Sequence, residues 1–122
     1  MSGWAVLAVA LGGMVGAPAR YVTDRVLRSE MPVDTLLVNV AGSVALGVLT
    51  GLQLHHHAGP VVVALVGTGF CGAFTTFSSF VFETLQLLEE HSWRHAAVNV
   101  ATSLTAGLAG AAIGFVIGLH LT

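Results

Sequence analysis

The chain has 122 residues, 55% of them hydrophobic and only 8% charged, with a formal net charge of −2 and a mean hydropathy of +0.87. Soluble domains carry roughly 25% Asp, Glu, Lys and Arg, so an ordinary soluble fold is excluded. Four arginines and no lysine also leave no basic field to attract nucleic acid.

Nine of the ten charged residues lie between Asp24 and Asp34 or between Glu83 and Arg94, and the stretches between them are long enough to cross a bilayer, which takes about 20 apolar residues. Four helices are expected, at about residues 3–27, 33–54, 59–88 and 94–120, forming one transmembrane domain over 1–122 with no room for a second. Gly3 to Ala19 is slightly short for a span. It gains length by running on to Val26, with Arg20, Asp24 and Arg25 near the interface, where long side chains snorkel to water. Ala17-Pro18-Ala19 looks like a cleavage site, but Met1-Ser2-Gly3-Trp4 lacks the positive region of a signal peptide, so this segment reads as a retained helix.

The connections Arg25 to Pro32, His55-His56-His57 with Gly59-Pro60, and Glu89 to Arg94 are short. Consecutive helices are therefore expected as antiparallel neighbours. The three adjacent histidines read as solvated loop residues rather than a metal site. Small residues four apart let membrane helices approach closely, and three such ladders occur: Gly12 and Gly16; Ser43, Gly47 and Gly51; Gly110, Gly114 and Gly118. One small bundle cannot bury so many small faces, which points to an oligomer.

Polar side chains in lipid must face a partner or water. The second span places Thr35, Asn39, Ser43 and Thr50 on one broad face, and the fourth carries Asn99, Thr102, Ser103 and Thr105. These faces serve either interhelical hydrogen bonds or a polar pathway. The third span holds Gly67-Thr68-Gly69-Phe70-Cys71-Gly72-Ala73-Phe74-Thr75-Thr76-Phe77-Ser78-Ser79-Phe80. Its glycines each cost close to 1 kcal/mol relative to Ala in a helix, and with the paired β-branched threonines they predict a break near Gly72 to Thr76. Backbone exposed at membrane depth must line a cavity or bind something, and unwound carbonyls suit a cation. Cys71 reads as a small packing residue. Phe70, Phe74 and Phe82 read as core or lipid-facing rings. Phe77 and Phe80 differ in being interleaved with hydroxyls, and an aromatic ring has a positive edge that can receive a small anion without trapping it.

These residues resemble the Fluc-type fluoride channels, the CrcB family of small bacterial membrane proteins. The likeness rests on Gly12-Gly13-Met14-Val15-Gly16-Ala17-Pro18-Ala19-Arg20-Tyr21, on Asp34-Thr35-Leu36-Leu37-Val38-Asn39-Val40-Ala41-Gly42-Ser43 and on Gly69 to Phe80. It implies a multi-pass protein of the cell membrane that forms an antiparallel dimer, with two fluoride pores each lined by both subunits. It assigns the aromatic pair to Phe77 and Phe80, a pore donor to Asn39, and track hydroxyls to Thr35, Ser78 and Ser103, with Glu83 near the pore mouth. The Gly72 and Thr75 carbonyls would surround a sodium ion at the dimer centre, and Arg20 matches the arginine that ends the first motif. Asp34 stands where the family usually has Gly, and Ser79 where Thr is common; neither removes a pore residue.

A small multidrug-type exporter is the main rival, but it needs a carboxylate at membrane depth in the first helix, and Gly3 to Ala19 has none. An enzyme is not expected, because all six histidines lie in loops or near helix or chain ends and no mid-span base could activate Cys71 or Ser78. With four spans, Arg20, Arg25, Arg28 and Arg94 all fall on one side of the membrane. The positive-inside rule then favours both termini outside, so the second subunit is either an identical chain or an oppositely oriented paralogue.

Overall fold

In the computed structural model the described residues are 2–27, 33–56 and 58–121. Helix α1 spans Gly3–Val26 and α2 spans Val33–Leu54. The third span, Pro60–Glu89, is made of two arms, α3 (residues 60–74) and α4 (Ser78–Glu89), and the last helix, α5, spans Trp93–His120. All four spans are long and apolar enough to cross a membrane. Arg28 and His57, used in the sequence reading, lie outside the described residues.

Local chemistry accounts for the ends of these elements. Pro60 opens the third span at a position where its missing N–H costs nothing. Two histidines close helices: His56 and His91 have φ of 60° and 59°, in the left-handed region that histidine visits more readily than most residues. At the end of α4 the His91 amide donates to the Leu88 carbonyl at 3.0 Å and the Ser92 amide to the Leu87 carbonyl at 2.8 Å. These two bonds form a Schellman cap with His91 in the place glycine usually takes. His56, exposed at the end of α2, thus acts as a helix terminator.

Consecutive spans do touch, as short loops require, but the tight packings lie elsewhere. The two largest interfaces pair α2 with α5 and α1 with α3, each joining spans that run in the same direction. Glycine decides this. A Cβ at Gly12 would collide with the Leu65 carbonyl, one at Gly16 with the Phe70 carbonyl, and one at Gly69 would meet the Val9 carbonyl at 2.6 Å. Gly47 lies on the Ala111 carbonyl, while Gly114 and Gly118 lie on the Val44 and Val48 carbonyls. All three ladders are therefore used inside the subunit, where backbones touch directly. They supply no argument for an oligomer.

The arm α3 is itself irregular. From Val63 to Cys71 it winds as a π-helix, and the Gly72 amide reaches back five residues to the Gly67 carbonyl. Nothing in the glycine spacing announced this wider winding. Phe70 and Phe74 stack with ring centroids 5.4 Å apart, and Cys71 is fully buried, as expected of a packing residue.

Candidate functional site

Helical geometry stops at Thr75, Thr76 and Phe77, at the C-terminal edge of the segment expected to break; Gly72 remains helical. Thr75 is extended, with φ −85° and ψ 164°. The interruption is built by side chains that intercept backbone groups. In an unbroken helix the Thr76 amide would donate to the Gly72 carbonyl four residues back. Instead it donates to Asn39 Oδ1 at 2.7 Å, and Asn39 Nδ2 donates to the Thr76 carbonyl at 2.8 Å. Both polar atoms of one residue in the unwound turn are thus satisfied by one amide side chain. The Ser79 amide, the helical donor for the Thr75 carbonyl, goes to Thr76 Oγ1 at 3.1 Å, a bond from the residue ahead of the N-cap Phe77 that meets the first turn of α4. Gly72 and Thr75 are the two residues whose carbonyls lose their helical partners to these substitutions.

Packing locks the same turn. Gly42 on α2 leaves the space into which the Thr75 side chain inserts, so that a Cβ there would collide with Thr75 Cγ2. Thr75 Oγ1 donates to the Cys71 carbonyl at 2.8 Å. Gly72 is exposed, and a Cβ added to it would meet nothing within 4 Å. Gly72 and Thr75 line a groove of about 270 Å³ with Leu46, Leu49, Thr50 and Cys71.

Beyond the break, three spans reach α4 with polar contacts. Arg20 Nη2 of α1 donates to Ser79 Oγ at 2.6 Å, Thr35 Oγ1 of α2 donates to Glu83 Oε1 at 2.5 Å, and Asn99 Nδ2 of α5 donates to Thr84 Oγ1 at 2.9 Å. Arg20 also lies 3.9 Å from Asp24. Among the described residues, Arg20 Nε and Glu83 Oε2 are buried without a hydrogen-bond partner, a cost that only water or a further polar group relieves. Thr35 is buried at 4% exposure, whereas Phe77 is 77% exposed. The Phe77 and Phe80 rings lie 6.0 Å apart at 47°. Ser78 Oγ stands 3.3 Å from Thr76 Oγ1.

The structure therefore gathers Asn39, Phe77, Ser78, Phe80, Thr35 and Glu83 around one helix restart, with Gly72 and Thr75 on its other side. Ser103 does not join this cluster through any hydrogen bond among the described residues. Thr50 also stands apart, donating to the Leu46 carbonyl of its own helix at 2.8 Å. Asn99, grouped in the sequence with Ser103 as one polar face, is, among the described residues, the fourth-span side chain that hydrogen-bonds to the third span. Its burial at 7% distinguishes it, and a lone Asn among apolar neighbours was the available signal.

The comparisons with known proteins agree on one family. The family described as CrcB-like protein, Camphor Resistance (CrcB), matches residues 7–115. The chain is 46% identical over 112 residues to the fluoride-specific ion channel FluC 1 of Streptomyces avermitilis, covering 88% of this chain and 90% of that one. It is 47% identical over 112 residues to FluC 2 of Rhodococcus jostii, covering 90% and 95%, and 46% identical over 104 residues to FluC of Shewanella oneidensis, covering 82% and 84%. With four membrane-length helices and relatives of this kind it is a multi-pass membrane protein. A match spanning most of every helix, including the interrupted one, means that this chain belongs to the CrcB family.

Proposed function

We propose that the chain is a subunit of a fluoride-selective channel that lets fluoride leave the cell passively, through two pores at the interface of an antiparallel dimer. The observation that carries this reading is the interrupted third span, in which a largely exposed Phe77 ring stands beside Phe80 and next to Ser78 in the chain. Ring edges are electropositive, and hydroxyl donors replace part of a lost hydration shell. No positive charge stands among Phe77, Ser78 and Phe80 themselves; the Arg20 guanidinium beside them donates to Ser79 and lies 3.9 Å from Asp24, which favours transit over storage. Asn39 keeps one Nδ2 proton beyond the bond to Thr76, enough for one bond to a passing anion. Thr35, Ser103 and Glu83 extend the polar lining.

A sodium ion at the dimer centre fits the same turn. The Gly72 and Thr75 carbonyls, relieved of their helical amides, are hard oxygen donors of the kind such a cation takes, and a subunit offering two would need its partner to complete the shell. The ion's role would be to hold the two breaks together. The second subunit is an identical chain inserted the opposite way or an oppositely oriented paralogue.

The test is fluoride efflux from liposomes holding the purified protein, with chloride as control. Phe77→Ile and Phe80→Ile keep apolar bulk but lose the ring edge, and each is expected to suppress efflux without loss of assembly. Wild-type flux in both assembled variants would remove the aromatic pair from the pathway.

A further inference from the structure

Within one subunit, the arm that carries Phe80 and begins directly after Phe77 is held by little apolar contact. None of the residues of α4 is buried, and its packing is thin against α5 and thinner against α2. Within the subunit the side-chain hydrogen bonds that reach it from other spans, among the described residues, are those at Ser79, Glu83 and Thr84, the last from the fourth span. There the hydrogen bonds run in series. Asn99 Nδ2 donates to Thr84 Oγ1 at 2.9 Å, and Thr84 Oγ1 donates its single proton to the Phe80 carbonyl at 2.8 Å. The bond to Phe80 is the i−4 bond that Thr23, Thr50 and Thr75 also make; what Asn99 adds is the link that ties this turn of α4 to α5.

We infer that Asn99 is a positioning residue for the Phe77–Phe80 pair, acting from the fourth span through the Thr84 hydroxyl on the first turn of α4. This rests on the reading of that pair as part of the fluoride pathway. Without Asn99 the arm keeps its contacts at Ser79 and Glu83, which lie one turn apart on the same face, and loses the one that stops it rolling about them. Rolling displaces Phe80 in its first turn and, through the chain, Phe77 at its N-cap.

Fluoride flux per assembled channel is measured with thermal stability for Asn99→Leu, Thr84→Val, the double variant, Thr84→Ser and Phe80→Ile. One lost hydrogen bond predicts a fall of roughly three- to tenfold in each of the first two. The double variant should fall no further, since both changes break one chain, and Thr84→Ser, which keeps the hydroxyl, should stay within about twofold of wild type. Thr84→Val, nearly unchanged in volume, carries the test if Asn99→Leu fails to assemble. Additive losses, an equal loss in Thr84→Ser and Thr84→Val, or reduced stability at unchanged flux would each overturn the inference. If Phe80→Ile is silent while Asn99→Leu conducts normally, this inference alone fails. If Phe80→Ile conducts normally, the pore reading fails and takes this inference with it.

Discussion

Asn39 does to the third span what a neighbouring strand does in a sheet: it offers one donor and one acceptor to a single residue of exposed backbone. Asn39→Asp replaces the donor with a carboxylate oxygen facing the Thr76 carbonyl, now 2.8 Å from Nδ2. The expected cost is about 1–3 kcal/mol, the penalty for leaving a buried partner unsatisfied. Denaturant titration of the purified protein measures it, and fluoride efflux should be lost as well. Normal stability and flux in the Asn39→Asp variant would show that the clasp is dispensable. Thr76→Val removes the hydroxyl that caps Ser79 and should cost about 1 kcal/mol, read as faster amide exchange at the start of α4. The sequence marked Asn39 as a polar group needing partners and left bonding and permeation both open. Its actual partner is main chain, and backbone exposed by a break has no signature in side-chain spacing.

Among the elements, the glycines separate into two kinds. Gly47 and Gly114 lie against backbone carbonyls of the opposing helix, where a methyl group has no room. Gly47→Ala and Gly114→Ala are each expected to destabilise the α2–α5 pair by about 1–3 kcal/mol, the usual range for overpacking. Thermal unfolding in detergent would register the loss. Gly72 meets nothing in the subunit, so Gly72→Ala should leave subunit stability within about 0.5 kcal/mol, as for a surface change. A large destabilisation of the isolated subunit by Gly72→Ala would contradict this division. The extent of each span was legible because long apolar runs bounded by charge admit few alternatives. The choice of neighbours was not, since loop length constrains only which helices can be adjacent, while direct backbone contact decides which are in fact close. The π-helical winding of Val63–Cys71 and the histidine cap at His91 were likewise outside the reach of hydropathy.

At the level of the whole molecule, orientation and the proposed central ion are coupled to assembly. The arginines favour one topology by four to nothing over short loops. Tags on both termini should therefore be found mostly outside the cell, and equal populations inside and outside would show that the chain inserts both ways. Exchanging sodium for a bulky monovalent cation such as N-methylglucamine is expected to dissociate or inactivate the proposed dimer, assayed by size exclusion and efflux. Unchanged assembly and flux after thorough exchange would count against an ion held by Gly72 and Thr75. Pairing the first span with the third, and the second with the fourth, also sets a timetable for biogenesis. When the second span leaves the ribosome, Gly12 and Gly16 still have no backbone to rest on, and neither do Gly47 and Gly51. The glycine face of the first span stays uncovered until Gly69 arrives, and that of the second until Gly110 to Gly118 follow. Tertiary structure in this subunit is completed from its carboxyl end, so a chain stalled before the fourth span would present the membrane quality-control machinery with an open glycine face rather than a smaller version of the fold.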